Sequence, residues 1–410
     1  MKKVLVVGGG AAGMMAALFA AREGAKVLLL EKNEKLGKKL YITGKGRCNL
    51  TNDCDLDAFL SQVPRNPRFL YSALNAFSPQ DMMALLSSAG CPVEVQRGKR
   101  VFPASEKASD VTRALTGLLQ AADVRVRLRA TVAELCLVEG RLAGVRLENG
   151  ETLSADAVVL ATGGLSYPST GSTGDGYRFV QTLGLTPQPP VPVLVGMETE
   201  EAWPRQLQGL SLKNVSLTLL RDGKTLYQEL GEMLFTHFGL SGPLVLEASC
   251  HLPDPPRGVL LRLDLKPGLT PEQLDARLRR DFLAAGKKQL RNILTGLLPA
   301  RLADCFPALC GVPASAACNQ ITAAQREHLV ETLKSLPLTL RAPRPLAEAI
   351  VTRGGVSVRD LQPGTMACRQ IPGLYVAGEL IDVDAHTGGF NLQIAWSTGA
   401  LAGAHAALDP

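Results

Sequence analysis

Val4-Leu-Val-Val-Gly8-Gly9-Gly10-Ala11-Ala12-Gly13 governs how the rest of the chain is read. A four-residue apolar run without alternation is the pattern of a strand buried on both faces. It passes directly into a G-x-G-x-x-G, and Ala16-Ala-Leu-Phe-Ala20 continues as a helix with almost no polar side chains. Val27 to Leu30 is a second apolar run, ending at Glu31, eighteen residues beyond Gly13. These are the parts of a nucleotide-binding βαβ unit. Gly8 permits the tight turn, Gly10 lets the backbone approach a pyrophosphate, and Gly13 lets the helix pack near the strand. The helix start at Ala11 and Ala12 then points free N–H groups at the phosphates. Glu31, with Lys32 next to it, is placed to accept hydrogen bonds from an adenosine ribose, and its charge opposes a 2′-phosphate. The unit by itself fits FAD and NAD equally.

The segment after Glu31 is basic and glycine-rich. Lys35, Lys38, Lys39, Lys45 and Arg47 fall within thirteen residues, together with Gly37, Gly44 and Gly46. It reads either as a solvated loop or as one lying along the cofactor. In the second case Lys39, Gly44 and Arg47 stand near phosphate or an anionic reduced flavin. Cys48, beside Arg47, is either a thiol of lowered pKa with a catalytic role or a small packed residue. Arg97, Lys99, Arg100 and Lys107 add positive charge, as a solvated face or as a receiver of an anionic substrate.

Further along, residues 55–90 read as mostly helical, and a helix over 110–120 is expected behind a cap at Ser109 or Asp110. Segments 124–129, 131–138 and 142–148 suggest one small sheet. Ala157 to Leu160 is again a buried strand, and the Ala161-Thr162-Gly163 that follows brings backbone close to the dinucleotide. Pro187, Pro189, Pro190 and Pro192 mark a boundary, beyond which the pattern is β-rich to about 265 and helical over 270–334. Within the β-rich part, His237 lies in a glycine-rich loop. It reads as a satisfied structural histidine or as one that contacts substrate and moves a proton.

The C-terminal return decides the cofactor. Gly373-Leu-Tyr-Val-Ala377 is a last buried strand, ending at Gly378-Glu379. After Asp382, Asp384 and His386 come Thr387-Gly388-Gly389-Phe390-Asn391 and a helix of small apolar residues. In a two-part flavin enzyme such a strand ends beside the ribityl chain, and the helix aims its N-terminus at the flavin pyrimidine carbonyl. A NAD dehydrogenase has no need of this return, so FAD is expected. Two acids and one histidine without a fourth partner make a poor metal site, and none is expected.

The whole composition agrees. The 410 residues are 46% apolar and 20% charged, ordinary for globular chains, with net charge +6. That charge is compatible with a nucleic-acid or phosphorylated substrate without selecting one. No apolar stretch approaches the length of a membrane span and no signal-peptide pattern is evident, so cytoplasmic residence without membrane contact is expected. Nine widely spread cysteines with no CxxC pair suggest reduced thiols.

The sequence resembles the YhiN/BaiN-like bacterial flavoproteins, described as NAD(P)/FAD-dependent oxidoreductases or aminoacetone oxidase family FAD-binding enzymes. The resemblance rests on Gly8 to Gly13, Gly44-Lys-Gly-Arg-Cys-Asn-Leu-Thr-Asn52, Arg100-Val-Phe-Pro103 and Thr170-Gly-Ser-Thr-Gly-Asp-Gly176. It continues through Thr236 to Pro243, Val351-Thr-Arg-Gly-Gly-Val356, Gly378 to Asp384 and Thr387 to Gln393. The chain departs from the family pattern at Thr365-Met-Ala-Cys-Arg369 and at Leu185, both outside the glycine framework.

The resemblance implies an α/β fold: an interrupted Rossmann-like FAD-binding domain of the glutathione-reductase type. That domain would comprise 1–190 and 346–410, with an inserted β-barrel-like domain (191–269 and 336–345) and a helical subdomain (270–335). FAD would meet Gly8, Gly10, Ala11, Ala12, Gly13, Glu31, Lys32, Lys39, Gly44, Arg47, Ala161, Thr162 and Gly163. On the return it would meet Gly378, Glu379, Asp384, Gly388, Gly389, Phe390 and Asn391. Arg47, Cys48 and His237 are the candidate catalytic residues, with NADH or NADPH as a transient electron donor. The implied reaction passes hydride from reduced flavin to an activated C=C bond, foremost a uracil of large-subunit ribosomal RNA or its precursor, giving dihydrouridine. Reduction of a small-molecule enone, oxidation of an amine, and a non-catalytic flavin-containing ribosome or assembly factor are the other readings.

Overall fold

The uniform apolar runs pair with one another in parallel, as strands without a solvent face must. In a computed structural model, which describes residues 1–409, five parallel strands stand in the order Leu374–Val376, Ala157–Leu160, Lys3–Val7, Lys26–Leu30 and Arg125–Arg127. Val4 lies opposite Ala157 on one side and Val27 on the other. Arg125–Arg127 corrects an expectation, because it extends this parallel sheet beside Leu28–Leu30. The small antiparallel sheet holds only Val132–Val138, Arg141–Leu147 and Thr152–Ser154. An exposed edge strand of a parallel sheet alternates as a half-buried antiparallel strand does, so spacing could not separate the two.

The chain divides into two units. The first comprises Met1–Val193 and the chain from Pro345 onward; the second is Leu194–Arg344. Where the chain leaves and re-enters the first unit its two segments pair antiparallel, Gln188–Val193 with Val351–Gly355, Val193 opposite Val351.

In the first unit, the helix Ala11–Arg22 and the C-terminal helix Phe390–Leu408 are buried around most of their circumference. They touch backbone to backbone. A Cβ on Gly399 would lie 2.3 Å from the Ala12 carbonyl oxygen, and one on Gly403 would lie 2.1 Å from that of Ala16. Both residues advance by four, so the helices run in the same direction. Another correction concerns the helix expected from 110. It spans Ala108–Ala121, its N-cap position is Lys107 with no side-chain cap, and Asp110 lies inside the first turn. There a carboxylate complements the helix dipole without capping it.

The second unit is a closed barrel of Met197–Thr199, Gly239–Ser241, Lys224–Phe235, Ser211–Arg221, Leu260–Asp264 and Leu336–Pro343. Along Ser211–Arg221, Val215, Leu217 and Leu219 are buried at the period of two that a barrel wall requires. Helical residues Leu274, Leu278, Phe282, Leu302 and Phe306 share one hydrophobic core with these strands. All nine cysteines are free thiols. Among the described residues no helix is long and apolar enough to cross a membrane.

The helix contact yields a test. Gly403→Val inserts two methyl groups and a Cβ against the Ala16 backbone, and thermal unfolding should register a loss of about 3 kcal/mol, the upper range for overpacking. Gly403→Ser should lose less, and an unchanged melting temperature for both would refute the contact.

Candidate functional site

Glycines of the first turn fall into two kinds. Gly8 has φ +106°, and a Cβ there would lie 2.4 Å from the Ala161 oxygen; one on Gly13 would lie 1.8 Å from the Gly8 oxygen. Strand-to-strand and helix-to-strand packing therefore account for both. Gly10 is different, because a Cβ there would meet nothing within 4 Å. It faces open space at a helix start whose N-cap has no side-chain acceptor. The first N–H to bond back along the helix is that of Met14, to the Gly10 oxygen at 2.9 Å. The N–H groups of Ala11, Ala12 and Gly13, with the positive end of the helix dipole, are thus free for a pyrophosphate, which fits here.

Glu31 is buried at the end of the second strand. One oxygen accepts from the Gly9 N–H at 2.7 Å, and the other accepts from the Asn33 N–H at 2.7 Å and its side-chain amide at 2.8 Å. Three of about four lone-pair sites are used, leaving one for a ribose hydroxyl. Lys32 is turned onto the Asp175 carboxylate (2.6 Å) and the Thr173 hydroxyl. The Thr162 hydroxyl is buried without a hydrogen-bond partner and crowds Gly176, while Gly163 takes φ +73°.

The second end of the site is the double-glycine turn ahead of the C-terminal helix. Gly388 and Gly389 have φ of +126° and +100°, conformations that side chains resist. Residues 49–52 clamp them. The Asn49 side-chain oxygen accepts from the Gly389 N–H at 3.1 Å, and its amide donates to the Val101 oxygen. Asn52 donates to the Gly388 oxygen at 3.2 Å and to the Gly98 oxygen at 3.0 Å. Trp396 donates its ring N–H to the Leu50 oxygen at 3.0 Å. A Cβ on Gly389 would lie 2.3 Å from the Thr51 oxygen. Asn391 bridges both backbone groups of Ala385, and Phe390 packs edge-on against Phe59. The first helical N–H to bond back is that of Gln393, to the Gly389 oxygen, so those of Phe390, Asn391 and Leu392 point outward. A flavin carbonyl carrying negative charge fits this helix start.

Geometry also relates the two ends. Gly399 is level with Ala12, yet the C-terminal helix begins nine residues before Gly399 and the first helix only one before Ala12. Eight residues at the helical rise are about 12 Å. That offset would fit a dinucleotide whose pyrophosphate and flavin ring are separated by a ribityl chain.

Two further carboxylates are held nearby, Glu379 half-buried and Asp384 wholly buried. Gly378 takes φ +73°, and a Cβ there would press on Ala12 at 2.8 Å. The next residue, Glu379, accepts from Lys39 at 2.9 Å, the Ser166 hydroxyl at 3.0 Å and the Thr352 N–H at 2.8 Å. Burial works against its charge, but the adjacent Lys39 ammonium and these hydrogen bonds hold it below the usual carboxylate range. Asp384 is fully buried, and its two oxygens accept from the Arg353 guanidinium at 2.9 and 2.8 Å.

Of the three candidate catalytic residues, Cys48 is overturned as a thiol of lowered pKa. It is wholly buried, and desolvation pushes the thiol up to about 12, beyond what a hydrogen bond with Thr43 offsets. Proximity to Arg47 in sequence misled, because the Arg47 guanidinium points the other way, onto Glu106 at 2.8 Å and over the Phe102 ring. Gly44 and Lys45 have φ of +57° and +59° at a kinked turn. His237 belongs to the second unit, in the turn before Gly239–Ser241, edge-on to Phe238. Sequence reasoning missed Asn49, Asn52 and Arg353 as supports of the site. Their signal was faint: two asparagines three apart in a conspicuous glycine-rich segment, and an arginine ahead of two glycines.

The family model described as HI0933-like protein Rossmann domain matches residues 2–405. The 3-dehydro-bile acid delta(4,6)-reductase of Clostridium scindens is 31% identical over 416 residues, spanning 100% of both chains. The ribosomal RNA dihydrouridine synthase of Escherichia coli K12 is 32% identical over 396 residues, spanning 96% of this chain and 95% of that protein. Among solved structures, the 3-ketosteroid delta1-dehydrogenase of Sterolibacterium denitrificans aligns over 100% of both chains with a TM-score of 0.52 and 15% identity, a likeness of fold alone.

Two measurements check this geometry. Gly10→Val should fold with the parent's melting temperature when both are stripped of flavin, and should bind FAD at least about tenfold more weakly, a loss of some 1.4 kcal/mol. At pH 8, iodoacetamide followed by mass spectrometry should leave Cys48 unlabelled in the folded protein and label it after denaturation. Labelling in the folded state would contradict its burial.

Proposed function

This chain belongs to the HI0933-like Rossmann family and is a flavin-dependent oxidoreductase, and from that premise we propose that it reduces a uracil of large-subunit ribosomal RNA to dihydrouridine. FAD is the cofactor in this reading, held by the helix start at Ala11–Gly13, by Glu31 and by the turn at Gly388–Gly389. When bound and reduced, FAD would supply the hydride for uracil C6, with the C5 proton drawn from solvent. NADH or NADPH supplies the electrons, bound transiently.

The protein's share is binding and electrostatics. The clamped double-glycine turn holds the N–H groups of Phe390 to Leu392 outward, so they would stabilise negative charge on a bound flavin without reorganising.

Charge carries the choice of RNA. Lys35, Lys45, Arg97, Lys99, Arg100 and Lys107 are all exposed. Among the described residues none of them has a carboxylate partner in an ion pair, whereas neighbouring Lys38 and Arg47 do. A polyanion gains from such a surface, by releasing counterions, more than a small neutral substrate can. The reading agrees with the name of the Escherichia coli relative. The Clostridium scindens relative favours a second reading, reduction of a small molecule such as a steroid enone, at almost the same identity.

Dihydrouridine mapped by mass spectrometry in large-subunit ribosomal RNA, from cells with and without the gene, separates the two. One dihydrouridine should disappear on deletion and return with the intact gene but not with Gly10→Val. Unchanged RNA, in a strain that carries the modification, would overturn the RNA reading in favour of the small molecule.

A further inference from the structure

A short basic tip borders the double-glycine turn of the first unit, and one side chain bonds to both. Strands Val93–Gln96 and Arg100–Pro103 pair antiparallel, and the residues between them, Arg97-Gly98-Lys99, form their connection. Gly98 and Lys99 have φ of +75° and +57°. Glycine accepts that region freely and lysine does not, so Lys99 is held there by its surroundings. Two hydrogen bonds do so: the Asp53 N–H donates to the Lys99 oxygen at 2.8 Å, and Asn52 donates to the Gly98 oxygen.

That same Asn52 amide donates its other hydrogen to the Gly388 oxygen. The tip is therefore one asparagine away from the turn that begins the C-terminal helix. The Arg100 guanidinium folds back onto the Arg97 oxygen at 3.1 Å, closing the tip on itself. Arg97, Lys99 and Arg100 are all exposed and without a carboxylate partner among the described residues. Three unpaired cations on one conformationally held loop present a local positive potential that attracts an anion.

We infer that the Arg97–Arg100 tip is a phosphate-binding element that grips the RNA backbone beside the target base, registered to the flavin by the bidentate Asn52 amide. The inference rests on the RNA reading above. Arg97, Lys99 and Arg100 would bind backbone phosphate without reading sequence, since phosphate contacts position and base contacts specify. Asn52 is a positioning residue, acting through Gly98 and Gly388.

The test uses the FAD-loaded protein and a 5′-fluorescein-labelled, uridine-containing single-stranded RNA, with anisotropy followed across a salt series. The charge-neutral triple variant is Arg97→Ala, Lys99→Gly and Arg100→Ala; glycine at 99 keeps the backbone conformation. Its flavin content and melting temperature should match the parent. Its affinity should fall by at least about tenfold at low salt, and its log–log salt slope should flatten by about 2, near 0.7 per cation removed. A second variant, Asn52→Leu, keeps all three cations. It should retain the salt slope and KM while kcat for dihydrouridine formation falls.

If the parent forms dihydrouridine and the triple variant keeps both its affinity and its slope, the tip inference fails and the RNA reading stands. If the parent neither binds the RNA nor modifies ribosomal RNA, both fail. An Asn52→Leu enzyme with unchanged kcat would remove the registration by Asn52.

Discussion

Gly399 against Ala12, and Gly403 against Ala16 one turn later, bring two helix backbones closer than any side chain would allow. Everything at the site depends on that spacing. The first helix is held over the parallel sheet by Gly13, so its start is anchored to the Gly8 turn. The C-terminal helix, locked to the first at two points, has its own start carried a fixed distance further in the same direction. Two positive helix ends thereby stand at a set offset along one line. Either could attract an anion alone; together they define a ligand with negative charge at two separated places.

The loop that follows the ribose acid performs a task unlike the one its charges suggest. Its cations mostly face outward, and Lys39 alone reaches inward, to the buried Ser166 hydroxyl and the half-buried Glu379. The working part is the uncharged end, residues 49–52, which seizes the double-glycine turn through two asparagines, while the Leu50 carbonyl holds Trp396 in the helix behind it. Arg353 and Asp384 hold the segment leading to that turn with a bidentate ion pair out of water. Such pairs contribute little net stability against an apolar substitute, but breaking one partner is costly, so they fix geometry more than they add to stability. Rigid support beneath a helix start is what electrostatic preorganisation demands, because donors that must reorganise lose much of their effect.

Cys48 shows why adjacency in sequence is a poor guide to reactivity. A lowered thiol pKa at Cys48 requires Arg47 and Cys48 to share surroundings. In the fold, consecutive side chains at a bend point apart, one to a surface carboxylate and the other into the core. Burial then dominates the thiol's ionisation. The same lesson applies to Asp110, which looked like a helix cap and lies in the first turn.

What the sequence determined by itself was set by local pattern. Unbroken apolar runs predicted buried parallel strands, the glycine fingerprint predicted a helix start with free N–H groups, and an apolar strand and helix near the end predicted the chain's return to the first unit. Each follows from steric or hydrophobic rules acting over a few residues. Tertiary structure alone decided that Gly10 is the glycine left open while Gly8 and Gly13 are consumed by packing. It also decided that Asn49 and Asn52 reach Gly389 and Gly388 across more than three hundred residues of chain, and that Arg125–Arg127 joins the large sheet. Those outcomes depend on which surfaces meet. Contact between residues distant along the chain leaves no period or spacing for a sequence to display.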